Sequence, residues 1–149
     1  MQPLRQIGQE ALLLHRAVAQ GDRTIVDYMV QITEDVNALD RELYSPLGLA
    51  LKLEKFKIAF RLLQEPHVDV EAGAGNYASC LFLAIAKTDV ISVEKILQKG
   101  GDVNKRTAST GDTPLHALIS VFQKNVINAR WILEILLEHK ADPNSKNND

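Results

Sequence analysis

The chain has 149 residues, 46% of them hydrophobic and 24% charged, which is enough apolar material for one folded domain of ordinary size. Its net charge is −2, with 17 basic and 19 acidic side chains. It therefore has no general positive field for a phosphate backbone, and we expect no nucleic-acid partner. No apolar run approaches the roughly 18 residues of a membrane span, which predicts no membrane insertion.

Cysteine usage and the first residues bear on location. Cys80 is the single cysteine, so the chain cannot form an internal disulfide, which fits a reducing compartment. Residues 1–10 are too polar for the core of a signal peptide. We therefore expect the protein in the cytoplasm or the nucleus. We also expect the polar segment Met1–Gln9 to cap the start of the fold.

A four-residue motif, called the box below, recurs along the chain at nearly constant spacing. Its complete form is Thr113-Pro114-Leu115-His116, and the weaker copies are Leu12-Leu13-Leu14-His15, Ser45-Pro46-Leu47-Gly48 and Ser79-Cys80-Leu81-Phe82. The copies begin 33, 34 and 34 residues apart. A fixed period between roughly 20 and 50 residues is typical of stacked repeats, whose functional surface is extended.

A second motif keeps the same phase and lies near the end of each unit. Its copies are Asp35-Val36-Asn37, Asp69-Val70-Glu71, Asp102-Val103-Asn104 and Asp142-Pro143-Asn144. Together the two motifs divide a single domain, residues 1–149, into four units. Their approximate limits are residues 8–40, 41–74, 75–107 and 108–149.

Between the two motifs, each unit has two short stretches with the apolar periodicity of a helix. In the first unit they cover residues 12–20 and 24–31, separated by Gly21-Asp22. In the second unit Ser45 suits an N-cap and Pro46 suits the first helical turn. Each unit is therefore predicted to be a helix, a tight turn and a second helix, followed by an extended loop. The predicted fold class is an all-α solenoid.

These motifs resemble the ankyrin repeat, and the resemblance covers nearly the whole chain. It implies stacked helix-turn-helix units joined by hairpin loops, a protein-binding role and no catalysis. It also implies hydrogen bonding between Thr113 and His116, which Gly48 and Phe82 cannot provide at the histidine position of their units. The unit-ending asparagines are similar to hydroxylation sites known in the family; they are Asn37, Asn104 and Asn144.

In proteins of this family, partners usually meet the concave face, which consists of loop tips and exposed positions of each first helix. Transfer of those positions by phase predicts a set of partner-binding residues: Arg41, Glu42, Tyr44, Lys52, Leu53, Asn76, Ala78, Lys87, Ser109, Thr110 and Asp112. Tyr44 and Arg41 are the expected hot spots, because tyrosine and arginine give large contacts at modest entropic cost.

The last unit is longer than the others. From Thr113 to Ile135 is 22 residues, whereas the corresponding distance from Ser79 to Lys95 is 16. We expect this insertion, near residues 121–128, to lengthen the first helix of the unit or to enlarge the turn. Its apolar residues are expected to cover their own repeat, or alternatively to form a second partner surface. They are Phe122, Val126, Ile127 and Trp131.

Apolar residues crowd the last helix more widely than one buried stripe requires, from Ile132 to Leu137. A terminal repeat needs a polar outer face. We therefore expect either that the chain is a fragment of a longer protein or that a partner covers this helix.

Reactive side chains are scattered, and none has the companions that chemistry would need. His15 and His116 have no cysteine or carboxylate cluster at metal-ligand spacing. Cys80 has no predicted base. Residues 73–76 lack the third glycine and the lysine of a phosphate-binding loop. We therefore predict no catalytic residue, no metal and no cofactor.

A local basic group lies in the second unit and consists of Lys52, Lys55, Lys57 and Arg61. We expect a solvated face there, with a site for an acidic peptide as the alternative. For the whole chain, the prediction is a non-catalytic protein–protein interaction module that uses the concave face and the loop tips. The alternative is a regulatory or scaffolding arm of a larger multidomain protein, packed on its own neighbouring domains. The oligomeric state stays open.

Overall fold

The computed structural model describes residues 12–148, and the segment Met1–Gln9 lies outside them. The described residues form four pairs of helices: α1 (residues 12–20 in its described part), α2 Arg23–Ile32, α3 Pro46–Lys52, α4 Phe56–Leu63, α5 Cys80–Ala86, α6 Val90–Gln98, α7 Pro114–Val121 and α8 Val126–Glu138. Within residues 12–148 the extended structure is limited to one antiparallel bridge, between Tyr44 and Ala74. The predicted all-α solenoid is confirmed.

The boxes start the first helix of each pair. The hydroxyl of Ser45 accepts a hydrogen bond from the N–H of Gly48 at 3.1 Å, and Pro46 is the first residue of α3. In the complete box, Nδ1 of His116 accepts from the backbone N–H of Thr113 at 3.0 Å and lies 2.8 Å from its hydroxyl. The hydrogen bonding that the family resemblance implied between these two residues is therefore present.

The helices stack in two rows. The first helices pack in the order α3, α5, α7, and the second helices in the order α2, α4, α6, α8. Leucines of the boxes are fully buried between neighbouring units at Leu14, Leu47 and Leu81. Leu115 of the last box is half-buried, because no further unit follows it within the described residues. The core is largely aliphatic, in keeping with an aromatic content of 5%.

Side chains of the second motif connect each unit to the next. The side-chain N–H of Asn37 donates to the carbonyl of His67 at 2.8 Å, and its oxygen accepts from the N–H of Asp69 at 2.7 Å. Asn104 repeats both hydrogen bonds with Lys140 and Asp142, at 3.2 and 2.9 Å. Each of these two asparagines thus makes two hydrogen bonds to the next unit, and we call this pair of bonds a staple.

The insertion in the last unit lies mainly in its second helix, which corrects our expectation. Helix α7 has 8 residues against 7 in α5, and the turn at 122–125 is one residue longer than the turn at 87–89. Helix α8, in contrast, has 13 residues against 9 in α6, which adds about one helical turn at its start. Asn125 fixes that start, since its side chain accepts from the N–H of Asn128 at 3.1 Å.

Candidate functional site

Three loops project between the helix pairs, and we call them finger A (residues 38–45), finger B (72–79) and finger C (105–113). We call the fingers, together with the adjoining sides of α3, α5 and α7, the finger face. Fingers A and B are joined by two backbone hydrogen bonds, from Ser45 N–H to the Gly73 carbonyl at 2.9 Å and from Gly75 N–H to the Leu43 carbonyl at 3.1 Å. The finger face corresponds to the predicted concave binding face.

Tyr44 is not an exposed contact residue, which corrects its expected place on the binding surface. Its side chain is 7% exposed. Its carbonyl accepts from Nε2 of His15 at 2.9 Å, and its N–H donates to the carboxylate of Asp40 at 2.9 Å. Nζ of Lys52 lies 4.6 Å from the centre of the tyrosine ring. Tyr44 therefore holds unit 1, finger A and α3 together.

Glycines create the space in which finger B lies against Tyr44. A Cβ at Gly75 would collide with the tyrosine ring, and a Cβ at Gly48 would collide with the carbonyl oxygen of Gly73. Gly73 and Gly75 also have φ values of 77° and 61°, which favour glycine. The predicted loop role of residues 73–76 is thus confirmed. Gly48, at the histidine position of the second unit, is a glycine because a larger residue would collide with finger B.

The tip of finger A carries an exposed leucine that was not among the predicted residues. Leu43 is 58% exposed and has a φ of 69°, in the left-handed region that bulky residues avoid. Arg41 and Glu42 beside it are exposed, as predicted. Glu42 is engaged by Lys52 at 2.7 Å, and this hydrogen bond is the largest of the influences that raise the pKa of Lys52. Arg41 and Leu43 are therefore the prominent groups at this tip.

A cleft lies between fingers B and C, and we call it the finger cleft. It has a volume of about 410 Å³ and is lined by Asn76, Tyr77, Ala78, Phe82, Thr107, Ala108 and Ser109. It brings together the predicted residues Asn76, Ala78 and Ser109. Tyr77, 42% exposed, and Phe82, buried at its base, were not among the predicted residues. Phe82 had been noted because it occupies a histidine position, and that departure was the available signal.

Two predicted residues of finger C, Thr110 and Asp112, form hydrogen bonds with residues 147 and 148. The carbonyl of Thr110 accepts from the N–H of Asn148 at 2.8 Å, and the carboxylate of Asp112 accepts from the side chain of Asn147 at 2.8 Å. The hydrogen bond from Asn147 is the main cause that lowers the pKa of Asp112. Leu53 is exposed and Lys87 half-buried at the ends of α3 and α5.

The four residues of the second candidate surface are divided between two sides of the last unit. Phe122 is half-buried and faces the end of the stack. Ile127 and Trp131 are 72% and 57% exposed on one stripe of α8, with Val126 also exposed next to them. They do not cover their own repeat, which corrects that expectation. Val126 and Ile127 belong to the turn that α8 adds at its start, and Trp131 stands where α6 has Ile91, which is also exposed.

The end of the stack forms an apolar groove of about 280 Å³, which we call the end face. Its apolar lining includes Leu115, Ile119, Phe122, Leu133 and Leu137. Ile119 and Leu137 are exposed there. The apolar crowding of the last helix thus has a structural counterpart: one side of α8 is buried in the core and the other contributes to this groove.

The reactive side chains have structural surroundings. Burial raises the pKa of the Cys80 thiol to about 12, with smaller contributions from Asp69 and Glu71. Its Sγ lies 3.4 Å from the carbonyl of Ala72. Nδ1 of His139 lies 2.9 Å from the carbonyl of Ile135, in the preceding helical turn.

Across residues 12–148, no three His, Cys, Asp or Glu side chains are placed to hold a metal ion. In the same range no helix combines the length and the apolar character needed to cross a membrane.

The basic group of the second unit is divided by the fold. Arg61 lies 2.6 Å from both Asp27 and Glu65, and the hydrogen bond to Glu65 is the largest cause that raises its pKa. Lys52 is paired with Glu42. Lys55 and Lys57 lie instead at the start of α4, on the row of second helices.

Comparisons with known proteins agree with this architecture. The family described as "Ankyrin repeat" matches residues 110–148. The chain is 35% identical over 68 residues to the 2-5A-dependent ribonuclease of Mus musculus. The aligned residues are 46% of this chain and 8% of that protein. It is 29% identical over 138 residues to the nuclear factor NF-kappa-B p105 subunit of Gallus gallus, covering 91% of this chain and 14% of that protein.

A third relative is the ankyrin repeat and SOCS box protein 6 of Homo sapiens. It is 27% identical over 147 residues, covering 87% of this chain and 35% of that protein. The chain therefore spans between 8% and 35% of the lengths of these three relatives.

Proposed function

Because the chain belongs to the ankyrin-repeat family, we propose that it binds a protein partner through the finger face and catalyses no reaction. The observation that carries the proposal is the conformation of Leu43. Holding a leucine in the left-handed region costs roughly 1–2 kcal/mol. A side chain that is 58% exposed recovers little of that cost by burial within the chain. Contact with a partner would give this residue a reason to be leucine.

The equivalent position in the last unit supports this interpretation. Gly111 lies 68 residues, two periods, after Leu43, and it has a φ of 71° against 69° for Leu43. The same positive φ is thus adopted by a glycine in one unit and by an exposed leucine in another. Tyr77, one period after Leu43, is also exposed and lies at the finger cleft. A row of apolar tips beside Arg41 is suited to anchor a partner.

The non-catalytic part of the proposal rests on the surroundings of the nucleophile and base candidates. Cys80 is buried with a raised pKa, so the reactive thiolate is disfavoured. His15 connects α1 to finger A through a hydrogen bond, and His116 completes the capping box at the start of α7. We further propose a cytoplasmic or nuclear location, supported by the single buried cysteine and by similarity to a protein named as a nuclear factor.

The test uses affinity capture from cell extract with the wild-type chain and matched variants. Leu43→Gly and Arg41→Ala should lose the captured partner, whereas Ile127→Ser, on the exposed stripe of α8, should retain it. In urea denaturation Leu43→Gly should be as stable as the wild type or up to about 1 kcal/mol more stable, because backbone strain is relieved. Full capture by both finger variants would refute the finger-face assignment.

A second candidate function is the regulatory or scaffolding arm that packs on neighbouring domains, and the end face favours it. Ile119 and Leu137 leave an apolar groove where a further element would fit. Hydrogen exchange of the isolated chain tests this reading. Rapid exchange in α8 relative to α6 would support a missing covering element. Equally slow exchange in a monomeric chain would argue against it.

A further inference from the structure

A second groove lies on the row of second helices, away from the fingers, and we call it the outer groove. It consists of two adjoining cavities of about 450 and 390 Å³ that share Arg23, Phe56 and Lys57. The first is also lined by Gly21, Glu54, Lys55 and Ile58, and the second by Phe60, Asp89 and Ile91. We propose that the outer groove docks an acidic peptide segment that carries apolar side chains.

The apolar part of the proposal follows from the floor of the groove. Phe56 and Phe60 are four residues apart on α4, so they lie on the same side of the helix. Both are half-buried, and Ile91 on α6 is 56% exposed next to them. Two of the four phenylalanines of the chain are thus placed in one surface groove. This is an apolar floor that a leucine or aromatic side chain of a peptide would cover.

The acidic part follows from the charges around the groove. Arg23, Lys55 and Lys57 contribute three cations, against Glu54 and Asp89. The carboxylate of Asp89 accepts a hydrogen bond from the Ser92 hydroxyl, so it is already engaged. The groove is therefore positive overall, in a chain whose net charge is negative. Opposite charges across an interface favour association and partner choice.

The start of α4 gives an independent reason to expect carboxylates. The N-cap residue is Lys55, and its side chain makes no capping hydrogen bond. An N-cap is normally an oxygen-bearing side chain that accepts from the first-turn N–H groups. Phe56, Lys57 and Ile58 of the first turn of α4 line the groove, and Lys55 supplies no acceptor for their N–H groups. A carboxylate of a bound peptide can accept from them, and the positive end of the helix dipole favours it.

The basic group of the second unit acquires a sharper interpretation. Lys52 and Arg61 are neutralised by ion pairs within the fold. Lys55 and Lys57 combine instead with Arg23 of the first unit, which is 33 residues before Phe56 in the sequence. Arg23 is paired with Asp27 only loosely, at 3.9 Å. The candidate acidic-peptide site is therefore centred on the turns of units 1 and 2 and not on the finger face.

The experiment selects ligands from a random-peptide display library on the full chain. It then measures the selected peptides by fluorescence anisotropy. The charge variant is Arg23→Glu with Lys57→Glu, and its matched control is Lys124→Glu with Arg130→Glu, which makes the same charge change at exposed sites elsewhere. Circular dichroism verifies that both variants are folded. Leu43→Gly identifies peptides that bind the finger face.

We expect a class of peptides with Asp or Glu flanking Leu, Phe or Trp. Their affinity should fall at least about tenfold in the charge variant, by less than about twofold in the control and in Leu43→Gly, and further with added salt. Ile91→Ser should also weaken them. The proposal is overturned if no selected peptide depends on Arg23 and Lys57, or if the dependent peptides lack acidic residues. Self-association that the charge variant abolishes would assign the groove to a second copy of the chain and would equally overturn it.

Discussion

At the scale of single residues, Gly48 determines how closely finger B approaches α3. Any Cβ at this position would collide with the carbonyl oxygen of Gly73. Alanine has a helix propensity about 1 kcal/mol better than glycine, so propensity alone predicts that Gly48→Ala stabilises α3. We expect the opposite, a loss of about 1–3 kcal/mol in the free energy of unfolding measured with urea, because overpacking displaces finger B.

Gly100→Ala provides the comparison for Gly48→Ala. A Cβ at Gly100 meets no atom within 4 Å, but its φ of 89° disfavours alanine. This variant therefore shows the effect of backbone strain without a collision, and we expect a loss of about 1 kcal/mol in the free energy of unfolding. A Gly48→Ala variant as stable as the wild type would show that finger B can move away at little cost.

Because of Cys80, we expect the free energy of unfolding to fall as the pH rises into the alkaline range. Burial raises the pKa of its thiol to about 12, whereas the thiol of an unfolded chain has a pKa of about 8.5. Between these values the unfolded chain has lost the proton and the folded chain has kept it, so rising pH favours unfolding. From pH 8 to pH 10 we expect a loss of about 2 kcal/mol from this group.

The measurement compares urea denaturation of the wild type and of Cys80→Ala at both pH values. The variant should lose less stability than the wild type over this interval, whatever its stability at pH 8. Alkylation of Cys80 in the wild type should occur at the rate at which the protein opens. Equal pH dependence of the two proteins would contradict the burial of a protonated thiol.

One position in finger A limited how well the exposed residues could be predicted. Phase within the repeat predicted Arg41 and Glu42 at exposed positions, and both are exposed. It also named Tyr44 and passed over Leu43, because tyrosine is a residue type that favours contacts. The burial of Tyr44 depends on Gly48 and Gly75, which create the space that holds the tyrosine ring. That space exists only once finger B is packed against finger A.

At the scale of elements, the staples between units differ in quality. Asn37 and Asn104 each donate one hydrogen bond and accept another across the unit boundary. Glu71 occupies the same position in the second unit, where it accepts from the N–H of Asp102 at 2.6 Å. A carboxylate has no N–H to donate to the carbonyl of Gly100, the counterpart of the carbonyls that the asparagines reach. Glu71 lies instead 3.5 Å from Lys105.

Glu71→Asn should therefore stabilise the array. It restores the missing donor and loses a partly exposed ion pair whose two atoms are 3.5 Å apart, which contributes little. We expect a gain of about 0.5–1 kcal/mol in the free energy of unfolding, measured with urea. Glu71→Ala removes both functions of the side chain and should lose about 1 kcal/mol. A Glu71→Asn variant no more stable than the wild type would contradict the staple interpretation.

The elements themselves were largely predictable from local signals. Ser45 with Pro46, and Thr113 with His116, start helices where the boxes indicate. The insertion was expected in the first helix or the turn because its apolar residues, among them Val126 and Ile127, carry no signal that separates a longer turn from an earlier start of the second helix. The added turn of α8 depends on the cap at Asn125, a weak local signal.

At the scale of the whole molecule, stacked units gain stability from their neighbours, and about three units are needed for a stable array. Two buried alanines test this dependence with the same substitution. Ala84 lies in α5, which packs on α3, α6 and α7, and Ala129 lies in α8 at the end of the stack. Either alanine changed to aspartate places a charge between helices at a cost of several kcal/mol.

The consequences should differ because of position. Ala84→Asp interrupts the third unit and leaves two units in sequence, so we expect loss of helical circular dichroism over the whole chain. Ala129→Asp leaves the first three units adjoining, so hydrogen exchange should remain slow in α3 and α5 while α8 loses protection. Equal loss of structure in both variants would mean that the last unit is required by all the others. The array would then fold as one cooperative block, in which the end face at Ile119 and Leu137 is stabilised from within and needs no covering domain.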